Sequence, residues 1–173
     1  TTASVTLNTR WQKDEKFVTG EFDRVSLGSN YPEINFDVTG ALKGVLGSDY
    51  EYFKLHLNYY HKFNINPFGY TRLILDAGKI FGKVPYPLLQ LHEGNETYAF
   101  DRYAFNMMNY YEFASDQYAS AIVEHHFQGF FLNHIPLMRR LKWREVASCK
   151  YLIGSISDKN KNVLDFPYGL GEV

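Results

Sequence analysis

The stretch from Tyr52 to Ile65, YFKLHLNYYHKFNI, constrains the fold more than any other because its residues alternate in polarity. Successive side chains of a β-strand point to opposite faces of a sheet, so the pattern predicts a long strand with one apolar and one polar face. In a soluble protein the apolar face packs inside, whereas in an outer-membrane barrel it meets lipid and the polar face lines the lumen. The apolar set is Phe53, Leu55, Leu57, Tyr59, His61, Phe63 and Ile65, and the polar set is Tyr52, Lys54, His56, Asn58, Tyr60, Lys62 and Asn64.

The composition fits a single domain, residues 1–173, and argues against several functions. The 18 basic and 19 acidic residues give a net charge of -1, which favours neither nucleic acid nor an acidic substrate as a partner. Cys149 is the single cysteine, so no disulfide forms within the chain, and no apolar run is long enough to predict a transmembrane helix. The 14 Tyr, 14 Phe and 2 Trp fit the aromatic girdles of outer-membrane barrels, although composition alone favours an aromatic-rich β-sandwich.

Six further stretches are alternating or rich in β-forming residues, which gives about seven strands in all. Short links between most of them are typical of an antiparallel meander. The turn Asn66–Gly69 joins two of the strands into a hairpin. The predicted strands are Thr2–Trp11, Lys16–Leu27, Glu33–Lys43, Tyr52–Ile65, Tyr70–Phe81, Asp116–Gln128 and Trp143–Ile156.

The connections are predicted to fall at two ends of the sheet by strand parity. One end carries Gly28–Pro32, Asn66–Gly69 and Gly129–Lys142, and the other carries Gln12–Lys16, Gly44–Asp49, Gly82–Ala114 and Asp158–Asn162. Outer-membrane barrels have short periplasmic turns and longer external loops, so the second end is predicted to be external. The length of Gly82–Ala114 indicates a functional loop. The basic patch in Gly129–Lys142 fits a short amphipathic helix at a membrane surface, and equally a packed loop or a helix plugging a barrel end.

Two long segments resemble a family of uncharacterised outer-membrane proteins. They read NINPFGYTRLILDAGKIFGKVPYPLLQLHEGNETYAFDRYAFNMMNYYEFASDQY and VEHHFQGFFLNHIPLMRRLKWREVA, with PYPLL, GNETYAFDRYAFNMMN and EHHF…GFFLN…P as the specific motifs. Members of that family carry a carboxypeptidase-regulatory-like domain ahead of a C-terminal barrel. The barrel is distantly related to the surface-antigen barrels of the BamA and TamA outer-membrane assembly factors. The resemblance implies that the chain supplies about seven strands of a larger barrel.

The resemblance also implies a loop that folds back into the lumen. In the larger relatives a long external loop ends in an Arg-Gly-aromatic tip, and the next strand carries a lumen-facing glutamate. By position, Gly82–Ala114 corresponds to that loop and Glu124 to that glutamate. The chain departs from the tip motif, because it reads Asp101-Arg102-Tyr103.

Arg102 is the residue for which a specific contact is predicted. An arginine in an inward-folded loop requires a carboxylate, and its planar guanidinium suits a bidentate pair. Arg102 is therefore predicted to pair with Glu124 or Glu145, and the alternative is a solvated Arg102 beside Asp101. Glu124 and His126 share a strand face, where a lumen hydrogen-bond network is favoured over metal binding with a third ligand such as His56.

The sequence therefore predicts an all-β fold, an antiparallel meander that forms part of a transmembrane β-barrel and is an excerpt of a longer one. The predicted lumen-lining residues are Lys54, His56, Asn58, Asp76 and His126, and the predicted lipid-facing residues are Phe53, Leu55, Leu57, Phe63, Leu73 and Leu75. Predicted partners are the lipid of a Gram-negative-type outer membrane and the remaining strands of the same barrel or other membrane-complex subunits.

The predicted role is structural or related to assembly or translocation, with no enzymatic activity, catalytic residue, metal, cofactor or nucleic acid. The alternative is a soluble β-barrel or sandwich that binds an apolar ligand. Exposure of the apolar set with Lys54, His56 and Asn58 facing inward favours the barrel. Burial of the apolar set against a second sheet favours the soluble protein.

Overall fold

The chain is built on a six-stranded antiparallel sheet. A computed structural model describes residues 1–94, 99, 101–109, 112–161 and 171–172, which are mostly β, with 51% in strands and 12% in helices. The strands are β1 (Val5–Gln12), β2 (Lys16–Thr19), β3 (Arg24–Gly28), β4 (Glu33–Ala41), β5 (Tyr52–Asn64), β6 (Tyr70–Gly82), β7 (Gln90–Leu91), β8 (Phe113–Ser115), β9 (Gln117–His126), β10 (Val146–Ser155) and β11 (Gly171–Glu172). The main sheet has the order β1-β4-β5-β6-β9-β10. The prediction of an all-β antiparallel fold is confirmed.

The long hairpin of β5 and β6 is the centre of the sheet. Its register runs from Tyr52 opposite Gly82 to Asn64 opposite Tyr70. The turn closes through a hydrogen bond of 2.8 Å from the Ile65 N–H to the Gly69 carbonyl. Gly69 has a φ of +94°, and a Cβ atom there would lie 1.9 Å from the His126 carbonyl oxygen, so the turn requires glycine against β9.

The predicted strand Lys16–Leu27 is wrong, and it accounts for the difference between seven predicted strands and six in the main sheet. A turn closed by the Gly20 N–H and the Asp23 carbonyl, 2.7 Å apart, splits this stretch into β2 and β3, which pair only with each other. The imperfect alternation of the stretch reflects this turn. The prediction that Gln12–Lys16 lies at the opposite end from Gly28–Pro32 is also wrong. The two lie at the same end of the sheet, because β1 pairs directly with β4.

The helices of the described residues are short. They are α1 (Pro136–Leu141), α2 (Asp158–Lys161) and three 3-10 turns at Val45–Gly47, Tyr86–Leu88 and Leu132–His134. Within the described ranges, none is long and apolar enough to cross a membrane.

The two faces of the main sheet differ in chemistry and in what covers them. We call the face with Phe53 and Leu57 the outer face and the face with Lys54 and His56 the inner face. The described residues of the segment 83–116, which we call the covering segment, lie against the inner face. The covering segment contributes three of the seven residues of a small apolar core at the end where β5 begins. The core is formed by Ala41, Tyr52, Ile80, Val84, Leu89, Ala114 and Ile156.

A buried polar cluster fastens the covering segment to the chain after β10. Asp116 Oδ2 accepts hydrogen bonds from the Ser157 N–H at 2.9 Å and from Asn160 Nδ2 at 2.9 Å. Asn160 Oδ1 in turn accepts the Val84 N–H at 3.0 Å, and both Val84 and Asn160 are fully buried. Each donor in this cluster has a partner, so the cluster joins the two segments without leaving these buried polar groups unpaired.

The sheet is open at both edges within the part of the chain that the structure describes. β1 pairs only with β4, and β10 pairs only with β9. These edge strands leave backbone groups free to pair with further strands.

Candidate functional site

The inner face carries a connected polar network at its centre. Cross-strand register places Asp37 of β4, His56 of β5 and Asp76 of β6 near one another on this face. The imidazole of His56 bridges the two carboxylates, with Nδ1 3.0 Å from Asp37 Oδ2 and Nε2 2.7 Å from Asp76 Oδ2. Tyr118 and Asn58 complete the network by donating to Asp76 at 2.6 Å and 3.2 Å.

The bridging position of His56 defines what this network does. Both ring nitrogens already contact carboxylates, so the imidazole is not free to take a proton from a substrate. The hydrogen bonds and charges of this network instead link β4, β5, β6 and β9 across the middle of the sheet. The arrangement therefore fits a satisfied polar lining better than a catalytic site.

The covering segment is attached to the inner face at several points. Lys54 Nζ donates to Gln90 Oε1 at 3.0 Å, and Lys150 Nζ donates to the Ala104 carbonyl at 2.6 Å. Between the segment and the sheet lies a cavity of about 430 Å³ lined by the central network and by residues of the segment. Residues 95–98, 100 and 110–111 of the predicted loop lie outside the described residues.

Glu124 is the centre of a second charged cluster on the inner face. Its Oε1 lies 2.8 Å from Arg72 Nη1 and also contacts His126 Nε2. Its Oε2 lies 3.4 Å from Arg102 Nε, which comes from the covering segment. One nearly buried carboxylate thus faces two guanidinium groups, one from the sheet and one from the segment that covers it.

The structure brings some of the predicted contact residues together and separates others. Arg102 and Glu124 form an ion pair, whereas Glu145 lies in the connector after β9 and accepts the Phe131 N–H at 3.1 Å. Asp101 Oδ1 accepts the Tyr103 N–H at 2.8 Å. Burial raises the pKa of Glu145, but backbone hydrogen bonds from Leu132 and its neighbours outweigh it and hold that pKa below its usual value.

The predicted lining residues and apolar residues fall on opposite faces. Lys54, His56, Asn58, Asp76 and His126 all lie on the inner face. The outer face carries Phe53, Leu55, Leu57, Phe63, Leu73 and Leu75.

Sequence reasoning missed several residues of the two clusters, among them Asp37, Arg72 and Tyr118. Each lies on the polar side of its own alternating strand, and this position is the sequence feature that could have identified it. Their convergence depends on cross-strand register, which pairs Arg72 with Glu124 and Asp37 with His56. The described residues contain no group of three or more His, Cys, Asp or Glu side chains arranged to hold a metal ion.

His92 is a buried titratable group within the covering segment. It is 5% exposed, and its Nε2 shares a hydrogen bond of 2.6 Å with Ser115 Oγ. Its ring meets the Tyr118 ring edge-on, with 5.0 Å between centroids. Burial lowers the pKa of His92 from 6.5 to about 4, so the imidazole is neutral at physiological pH.

Acidification is expected to weaken the attachment of the covering segment through His92. Between pH 6.5 and about 4 the unfolded imidazole is protonated while the folded one is not. The contribution of His92 to stability is therefore complete above pH 6.5 and is lost as the pH falls toward 4, by up to about 3 kcal/mol. Hydrogen exchange of the amides around His92 as a function of pH measures this loss. His92→Asn is expected to remove that part of the pH dependence. If amide protection falls with pH equally in the wild type and in His92→Asn, the assignment to His92 is contradicted.

Comparison with known protein families assigns the chain to one family. A family model described as the C-terminal domain of a family of unknown function, DUF5686, matches residues 1–170. The chain belongs to this family. A search of curated proteins and a search of solved structures each found no match. In the described residues of this chain, the DUF5686 C-terminal domain is an antiparallel sheet with two unpaired edges and a polar inner face that is covered at its centre.

Proposed function

We propose that this chain is a segment of an outer-membrane β-barrel whose covering segment folds into the lumen, with a structural role or one in assembly or translocation. The observation that carries the proposal is the reversed polarity of the main sheet. The apolar outer face is exposed, and the central part of the polar inner face is covered. A soluble protein buries its apolar face, so lipid is the environment that suits this surface.

The exposed apolar surface extends across all six strands. Outer-face residues with exposed side chains include Val5, Leu7, Trp11, Phe36, Phe53, Leu57, Phe63, Leu75, Phe81, Val123, Tyr151 and Ile153. Contiguous exposed apolar areas of this extent are rare on soluble monomers. This exposure favours the barrel over the soluble alternative, in which a second sheet would bury the same residues.

Polar pairs lie near both ends of the outer face on β6 and β9. Lys79 lies opposite Gln117 at one end, and Thr71 lies opposite His125 at the other. The His125 ring is hydrogen-bonded at both nitrogens, to Thr71 Oγ1 at 2.7 Å and to the Phe68 carbonyl at 3.0 Å. The nine positions from 71 through 79, with both pairs included, match the roughly 9–11 residues that a tilted strand needs to span a bilayer.

The open edges fit a barrel completed by other strands. Transmembrane barrels have at least about eight strands, and the main sheet has six. β1 and β10 therefore pair with further strands of the same barrel or of another subunit of a membrane complex. The covering segment, attached through Lys54, Lys150 and Arg102, would then occlude the lumen beside this wall.

Fractionation of cells that express the full-length protein tests the proposal. We expect the protein in the outer-membrane fraction, resistant to extraction by alkaline carbonate and dissolved only by detergent. We also expect heat-modifiable migration on gels, because folded barrels resist detergent until they are boiled. Recovery in the soluble fraction without detergent, with migration independent of heating, would exclude the barrel.

A further inference from the structure

The connector between β9 and β10, residues 127–145, continues the outer face at one end of the sheet. The ring of Phe127 lies 4.3 Å from the ring of His125 on the outer face, measured between centroids. Phe131 lies 5.2 Å from Phe127, and Phe130 lies 4.8 Å from Phe68 in the β5–β6 turn. An aromatic cluster therefore joins the connector to the outer face, at the position where barrels carry an interfacial girdle.

Beyond this cluster the connector exposes large apolar side chains. Leu137 of α1 is 63% exposed and Trp143 is 55% exposed. Leu137 and Leu141 are four residues apart and therefore share one side of α1. Phe131 and Ile135 are exposed as well. Exposure of this apolar set to water is unfavourable, so the connector requires an apolar environment next to its polar groups.

The charge of the connector indicates what that environment is. The connector has four basic residues and one acidic residue, Glu145, which gives a formal charge of +3 over residues 127–145. The basic residues are Arg139, Arg140, Lys142 and Arg144. The Glu145 carboxylate already accepts backbone N–H groups of Phe131 and Leu132, and no salt bridge joins it to these cations in the described residues. Basic side chains beside exposed Leu and Trp residues are the composition of an interfacial anchor on anionic lipid.

We propose that the connector 127–145 is an anchor in the headgroup region of one leaflet. Its Leu and Trp side chains enter the acyl boundary, and Arg139, Arg140 and Lys142 bind the phosphates of anionic lipids. This inference rests on the proposed barrel and names a lipid partner for it. It also accounts for the length of the connector, because an anchor needs more residues than the short turns that join strands at the periplasmic end of a barrel.

Quenching of tryptophan fluorescence by brominated lipids tests the depth of the anchor. The full-length protein is reconstituted in phosphatidylcholine vesicles with and without phosphatidylglycerol, with bromine placed near the carbonyls or near the chain ends. The difference between the wild type and Trp143→Phe isolates the signal of Trp143. We expect shallow bromines to quench this signal more than deep ones, and brominated phosphatidylglycerol to quench it more than brominated phosphatidylcholine.

A charge variant tests lipid selectivity. The triple variant Arg139→Gln, Arg140→Gln and Lys142→Gln is expected to lose the preference for phosphatidylglycerol, by up to about fivefold for each cation removed. The matched control is the triple variant Lys43→Gln, Lys83→Gln and Lys159→Gln, which changes three exposed lysines at the opposite end of the sheet. It is expected to keep the preference for phosphatidylglycerol at Trp143. Retained heat-modifiable migration shows that each variant is folded.

The outcomes of these experiments distinguish the proposed anchor from the proposed barrel. Trp11 is exposed on the outer face of β1, and Trp11→Phe isolates its signal in the same way. Quenching of Trp11 without quenching of Trp143 would contradict the proposed anchor and would still support the proposed barrel. Failure of the protein to insert, with neither tryptophan quenched, would overturn both. Equal loss of selectivity in the two triple variants would overturn the assignment of lipid binding to the connector.

Discussion

Leu57→Arg is expected to destabilise the folded protein in a bilayer by about 2–4 kcal/mol, the cost of a cation at the lipid-facing midplane of a barrel. Leu57 lies near the middle of β5 on the outer face, where it is paired with Phe36 on one side and Ala77 on the other. An arginine near the middle of the strand is distant from both headgroup regions. Urea unfolding of the full-length protein reconstituted in vesicles measures the change in free energy.

Ile65→Arg is the matched control for Leu57→Arg. Leu57 and Ile65 are both 44% exposed, but Ile65 lies beyond the end of β5, in the turn before β6. In a bilayer the second substitution is expected to cost only about 0–1 kcal/mol, because the site is near the interface. In water the two exposed sites would respond alike, each within about 0.5 kcal/mol. Equal effects at the two positions would therefore contradict the lipid-facing assignment of the outer face.

The sequence was informative about the fold wherever alternation was regular. The period of β5 and β6 alone predicted which residues share a face, because side-chain direction in a strand follows from local geometry. Lys16–Leu27 was mispredicted because two short strands and a turn also look β-rich, and only pairing distinguishes them. The length of a strand is local information, whereas the choice of its partner is not.

The polar clusters were less predictable than the fold. The sequence shows that Arg72 and Glu124 are each on the polar side of a strand, but only the register of β6 with β9 makes them neighbours. Arg102 reaches Glu124 from a segment without regular structure, and no periodicity places such a residue. Its pairing was inferred from the cost of leaving a guanidinium unpaired, and the same argument did not distinguish Glu124 from Glu145.

Glu124→Ala is expected to destabilise the protein by about 3 kcal/mol and to release the covering segment. The carboxylate is nearly buried and lies between Arg72 and Arg102, so its removal leaves two cations close together without compensation. Breaking a buried pair in this way costs about 3–5 kcal/mol, and the partial exposure of Arg102 places the expected value at the lower end. Unfolding in vesicles measures the stability, and hydrogen exchange at residues 101–109 measures release of the segment.

Arg102→Ala and Glu93→Gln distinguish this ion pair from a general effect of lost charge. Arg102→Ala leaves Arg72 paired with Glu124, so it is expected to raise exchange in the covering segment while costing only about 1 kcal/mol. Partial burial and the nearby Asp101 carboxylate raise the pKa of Glu93, so Glu93→Gln is expected to be neutral or stabilising. In the Glu124→Ala background, Arg102→Ala should cost less than it does alone or even restore stability, because it removes an unpaired cation. Additive costs for the two alanine substitutions would show that Arg102 and Glu124 are not coupled, and that the covering segment is held by its other contacts.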